Sequence, residues 1–139
     1  MSVIEFTVAG ECFALPLEAV EAVSALAVAA GRGEAQRYRG EDLKVVSARD
    51  LLGLSGEHDV EARNAIVLRT TGDRLLLAVD EITGVLTLND SSIVPAPSYY
   101  AGRCAEMVRG VAMLDGRLLV VLEPSSMAPV GLETEAGDE

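Results

Sequence analysis

Residues 107–122, MVRGVAMLDGRLLVVL, constrain the fold more than any other stretch of the chain. Two aliphatic runs flank Asp115-Gly116. That dipeptide favours the tight two-residue turn whose twist matches that of paired strands, so the segment reads as a β-hairpin. The same unit recurs. VIEFTV (3–8) alternates so that Ile4, Phe6 and Val8 share a face, AGE (9–11) turns, and CFALPL (12–17) resumes with Phe13, Leu15 and Leu17. AIVLRT (65–70), TGD and RLLLAVD (74–80) form another hairpin pattern. LKVV (43–46) and ITGVLTL (82–88) read as further strands, and Gly84 marks a bulge or a close backbone approach. The spacing predicts about ten short strands with few helices, as in a β-sandwich or a pair of barrels.

Other segments carry weaker signals. In LEAVEAVSALAVAA (17–30), Leu17, Val20 and Val23 recur every three residues and the alanines favour helix. Val20 and Ala22 also suit the start of a strand, and periodicity leaves both readings open. GRGEAQRYRG (31–40), with its three glycines and three arginines, reads as a loop without the glycine-rich fingerprint of a nucleotide site. Ser47 before ARDLL, with Asp50 three residues on, is a capping-box pattern for a short helix that Gly53 should end. SGEHDVEAR (55–63) reads as a loop, and SYYAGRCAEM (98–107) has little pattern.

Half of the residues are hydrophobic but only 4% are aromatic, so the interior must be built from Val, Leu, Ile and Ala. The net charge of −11 argues against nucleic acid, which is held mainly through Lys and Arg. Arg32, Arg37, Arg39, Lys44 and Arg49 lie close together and read as a solvated face. Glu133, Glu135, Asp138 and Glu139 mark residues 128–139 as an acidic extension, expected to be disordered. Apolar runs fall short of the ~18–20 residues of a membrane span, and residues 1–20 carry no positively charged, apolar signal segment. The expectation is a soluble cytoplasmic protein without direct membrane insertion. Cys12 fits as a small core residue, Cys12 and Cys104 have no metal or redox spacing, and His58 is the sole histidine. The residues predict no enzyme and no cofactor. A domain of this kind works by binding.

Four stretches, in order, carry a resemblance. The segment from Asp80 through Ile82, Val85, Leu86, Leu88 and Ile93 to Pro95 and Pro97 is one. FTVAGECFALPLEAV (6–20), RGEDLKVVSARDLLGL (39–54) and RGVAMLDGRLLVVLE (109–123) are the others. In RGEDLKVVSARDLLGL, Arg39, Gly40, Val45, Val46 and Arg49 fall on an Arg-Gly-x-x-x-x-Val-Ile-x-x-Arg pattern. Together they resemble the CheW-like family of chemotaxis coupling proteins. The resemblance implies an all-β fold of two intertwined five-stranded SH3-like barrels with short helices, as one domain over 1–127, with a hydrophobic core between the barrels. It makes 20–25 a strand after a short turn at 16–19.

The resemblance also implies a non-catalytic adaptor, joining the cytoplasmic hairpin of a methyl-accepting chemoreceptor to the regulatory domain of a CheA-type histidine kinase, in association with receptor clusters. Val20, Val23, Arg39, Gly40, Val85 and Leu86 would line the partner-binding groove. The chain departs from the family pattern at Ala22, where an acid is usual, at Lys44 and Ser47, at Glu123-Pro124, and in a shortened stretch between Val20 and Arg39. Retention of a single partner surface is therefore one open reading. A regulatory or small-molecule-binding barrel domain derived from an adaptor is another.

Overall fold

The alternating runs become strands throughout the computed structural model, which describes residues 1–25, 35–52, 64–70, 73–95 and 107–126. Among these residues the strands are β1 (Ser2–Val8), β2 (Glu11–Pro16), β3 (Val20–Ala25), β4 (Ala35–Tyr38) and β5 (Glu41–Ser47). After helix α1 (Ala48–Leu51) come β6 (Asn64–Thr70), β7 (Asp73–Val79), β8 (Glu81–Thr87), β9 (Val108–Leu114) and β10 (Arg117–Leu122). Short 3-10 turns occupy Leu17–Ala19, Asp90–Ser92 and Pro124–Ser126. The expected Gly53 stop, the 55–63 loop, His58, Pro97, Cys104 and the acidic tail lie outside the described residues.

Two five-stranded sheets result, in the orders β8-β1-β2-β10-β9 and β3-β6-β7-β5-β4. The chain starts the first sheet with β1 and β2, builds the whole second sheet from β3 to β7, and returns with β8 to pair against β1. The two are intertwined in this sense: the first sheet, begun by β1 and β2, is completed by β8, β9 and β10 only after the second has been built. Each sheet has one parallel pair, β2 with β10 and β5 with β7; its other pairings are antiparallel.

Three hairpin turns repeat one device. Ala9-Gly10, Arg39-Gly40 and Asp115-Gly116 each place a non-glycine residue at φ 51–53° before a glycine at φ 79–81°. Positive φ at both central positions is the type I′ geometry that strand twist demands, and glycine meets it without strain.

Packing explains why so few residues on these strands are polar. Ile4, Phe6 and Val8 point into a large cluster shared with Phe13, Leu15, Ile66, Leu68, Leu75, Leu77, Val79, Val120 and Leu122, which lies between the sheets. Helix α1 closes it with Ala48, Leu51 and Leu52. On the opposite face of the first sheet, Val3, Ala14, Leu88, Ala112, Leu119 and Val121 form that sheet's own core. Leu43, Val45, Ala65, Val67, Leu76 and Ala78 do the same in the second. Central strands are thus buried on both faces, which gives continuous apolar runs such as LLLAV and LLVVL rather than strict alternation.

Two sequence expectations change. Residues 35–38, read as loop, are strand β4, because Ala35–Tyr38 register against Glu41–Lys44 across the Arg39-Gly40 turn. Leu17, expected to extend the second strand's buried face, instead begins a 3-10 turn and is 36% exposed. The ambiguous run that follows is strand from Val20 to Ala25, as the resemblance implied.

Candidate functional site

The shared core opens to solvent where its sheets end, and bulged edge strands form two of those rims. In β3, Val20 pairs with Leu68 but Ala22 with Val67, so Glu21 is an extra residue. In β8, Gly84 pairs with Glu5 but Ile82 with Phe6, so Thr83 is extra. A bulge shifts side-chain alternation by one. Val20 and Val23, three residues apart, therefore occupy the same face, opposite Leu68 and Ile66 of the shared core. Ile82 and Val85 likewise stand opposite Phe6 and Ile4. Val20 and Ile82 are partly buried against that core. Val23 and Val85, farther along, are 50% and 59% exposed.

The bulged residues carry their own polar partners. Glu21 accepts from Arg74 at 3.0 Å, and Arg74 also pairs with Glu41. The Thr83 hydroxyl donates to the Glu5 carbonyl at 3.0 Å. Gly84, at φ 146°, sits in a region that L side chains rarely adopt, which is why the bulge falls there.

The six residues singled out from sequence lie in three places. Val20 and Val23 sit together on β3. Val85 and Leu86 are neighbours on β8 with opposite faces: Val85 borders the shared core, while Leu86 packs against the first sheet's own core, beneath it. Arg39 and Gly40 form the exposed β4–β5 turn, where the Arg39 guanidinium lies 5.4 Å from the Tyr38 ring centroid. Gly40 is explained by the turn alone. Arg39 makes no ion pair among the described residues, which leaves its guanidinium available at the surface.

Sequence reasoning noted Asp80 only as a pattern position and read Arg49 as part of a solvated basic face; instead Arg49 is largely buried against Asp80, and the two form the joint between the sheets. Arg49 on α1 donates twice to the Asp80 carboxylate, Nη2 to Oδ2 at 2.7 Å and Nε to Oδ1 at 3.3 Å, and the two side chains are only 15% and 19% exposed. Asp80 Oδ2 also accepts from the Ala9 amide at 2.9 Å, in the β1–β2 turn. The Asp80 amide donates to the Thr7 carbonyl, and its own carbonyl accepts from Asn64 Nδ2 at 3.2 Å. One residue, placed where β7 passes into β8, thereby ties the helix, β6 and the first hairpin together. The bidentate geometry is the kind that fixes orientation as well as energy.

A second polar group was also missed. Glu5, 3% exposed, faces the first sheet's own core and pairs with Arg117. The Glu5 hydrogen bonds and charge, together with a hydrogen bond to the Cys12 sulfur, hold the Arg117 guanidinium above its usual pKa. The signal was present: an acid at every-other spacing from Val3 inside an apolar run can be buried only with a cation beside it. Cys12 is half-buried at the edge of the same cluster. Among the described residues no group of three or more His, Cys, Asp or Glu could hold a metal ion, and no helix is long and apolar enough to cross a membrane.

This architecture is a double five-stranded β-barrel fold whose surfaces border one common core. The CheW-like domain family model matches residues 2–130, and the chain belongs to that family. A solved structure of scaffolding protein TtCheW from Thermoanaerobacter tengcongensis has the same fold, with a TM-score of 0.70 at 20% identity, covering 88% of this chain and 83% of that one. Chemotaxis protein CheW of Rhizobium meliloti (strain 1021) is 28% identical over 92 residues, 66% of this chain and 59% of that relative. The match thus spans less than two thirds of the relative's length.

Proposed function

We propose that this chain is an adaptor of a chemotaxis-type pathway, coupling the cytoplasmic hairpin of a chemoreceptor to the regulatory domain of a CheA-type kinase. The observation that carries this reading is the pair of bulged edge strands. β3 and β8 continue the faces of the shared core past its limit, and leave Val23 and Val85 half or more exposed at its rims. A helical partner recognises such a rim by laying apolar anchors along it. Family membership and the likeness to a CheW protein and a scaffolding protein support the same reading.

In this reading Val20 and Val23 on one edge and Val85, backed by Leu86, on the other supply apolar contact. Arg39, presented by the rigid Arg39-Gly40 turn, pairs with a partner carboxylate. Ala22, at the position where the family usually has an acid, packs against the second sheet's own core and offers no charge. The altered pattern at Ala22, Lys44 and Ser47, on β3 and β5 of the second sheet, therefore favours an adaptor with one partner surface changed. Separate titrations at physiological salt, with a chemoreceptor hairpin and with a CheA-type regulatory domain from the same organism, test the proposal. Binding to both defines a coupler, and binding to one an adaptor with a single working surface. Binding to neither overturns the proposal in favour of a regulatory barrel domain.

A further inference from the structure

A cleft of about 260 Å³ lies along the seam between the two sheets, at the far end of β6 from Asn64 and the Asp80 joint. Its apolar lining comes from Pro16, where β2 ends, from Ala19, and from Pro124, just beyond β10. Its charged lining holds Glu18 and Glu123 as well as Arg69 and Arg109, and it is uneven. Arg109 is the extra residue of a bulge in β9, since Val121 pairs with Gly110 and Leu122 with Val108. It is neutralised by Glu123, Nε to Oε1 at 3.0 Å, and Glu123 Oε2 in turn accepts from the Ser125 hydroxyl at 3.0 Å.

Arg69 is different. Its cross-strand neighbour is Arg74, and like charges in that position repel. Arg74 is compensated by two carboxylates, Glu21 and Glu41. Arg69 forms no ion pair among the described residues; its Nη2 donates to the Glu18 carbonyl at 3.1 Å, which fixes the guanidinium at the cleft while its other N–H donors stay unused. An exposed cation held by a backbone oxygen beside two prolines is an anchor for an anion that carries an apolar group.

We infer that this seam cleft is a binding site for a carboxylate borne next to an apolar side chain, as in an acidic peptide segment. Arg69 takes the carboxylate, and Pro16, Ala19 and Pro124 receive the apolar group. Phosphate shares the charge but not the apolar half, so the two chemistries are separable. The site uses neither Val23 nor Val85, and its test is independent of receptor or kinase binding.

The experiment is a titration of the full chain at low salt with N-acetyl-Leu-Glu-amide, followed by the backbone amide resonances of Arg69, Thr70 and Ser125. Saturable shifts confined to these residues are expected. Arg69→Gln should weaken binding about tenfold, with Arg69→Lys intermediate because it keeps the charge without the fork. Exposure of Arg69 makes both variants safe for folding, and an unchanged amide spectrum elsewhere checks this. N-acetyl-Leu-Gln-amide should not bind. Three results would each overturn the inference: no saturable shift at these amides, equal binding of the glutamine peptide or of the Arg69→Gln variant, or inorganic phosphate binding as tightly as the peptide.

Discussion

Val85 stands opposite Ile4, a residue almost wholly buried in the shared core, yet is itself 59% exposed, because among the described residues no strand pairs with the outer edge of β8. A charge there costs the free protein little and a docked apolar partner a great deal. Val85→Glu should therefore leave the melting temperature nearly unchanged and weaken partner binding by about tenfold or more; undiminished binding by the folded variant removes Val85 from the surface. Gly110 poses the opposite problem. A Cβ at this position would come within 2.6 Å of the Val94 carbonyl oxygen and 2.7 Å of Ile93 Cγ2. Val94 pairs with Val111 through mutual backbone hydrogen bonds of 2.8 and 2.9 Å. Gly110→Ala should lift that segment off β9 and cost about 1–3 kcal/mol, read by chemical denaturation and by faster exchange of the Val94 and Val111 amides.

At the scale of elements, the joint at Asp80 decides how α1, β6 and the first hairpin sit together. Its carboxylate satisfies the Arg49 guanidinium and the Ala9 amide within one largely buried site. Removing the Asp80 carboxylate takes away two hydrogen bonds from the Arg49 guanidinium and the one that holds the Ala9 amide, at a cost of about 3 kcal/mol. Asp80→Ala is expected to lose stability of that order in a denaturant titration, with the Ala9 amide becoming exchangeable. Retention of Ala9 protection would show that the turn is held by β1–β2 pairing alone. The Glu5–Arg117 pair predicts a different pattern. Arg117→Met leaves an acid buried without its cation, and should destabilise the chain more than the double variant Glu5→Leu with Arg117→Met, in which nothing charged remains inside.

For the whole molecule, acid sensitivity follows from one strap at the end of the first sheet, between β9 and the chain just past β10. Burial pushes the Glu123 carboxyl up, but Arg109 and the Ser125 hydroxyl and amide outweigh it and hold its pKa below the ordinary 4.5. A carboxylate with a depressed folded pKa contributes stability above its unfolded value, and loses it as pH falls through the folded one. Thermal melts from neutral pH downward should thus show a loss below about pH 4.5 that Glu123→Gln flattens. An unaltered acid limb in that variant would assign the loss to other carboxylates.

Much of this was legible in the chain. Asp115-Gly116 specified its hairpin because two adjacent positive φ values suit few dipeptides, and the aliphatic runs of β6, β7 and β10 specified strands because their residues pack well on a pleated surface. Val20 and Val23 misled by their spacing. Three residues apart is a helical interval, and only the bulge at Glu21, which pairing with β6 creates, puts both on one face of a strand. Tyr38 and its neighbours looked like loop because β4 is only four residues long and, among the described strands, pairs with β5 alone.

The sequence by itself determined the hairpins of β1–β2, β6–β7 and β9–β10, the all-β class and, through four ordered motifs, the family. Those properties are set by sterics, turn chemistry and periodicity, which act between near neighbours. Only the tertiary structure decided that β8 returns to β1, that Glu5 meets Arg117 across 112 residues of chain, and that Asp80 joins the sheets. Register and ion pairing depend on which distant surfaces exclude water together, and no local pattern encodes that choice.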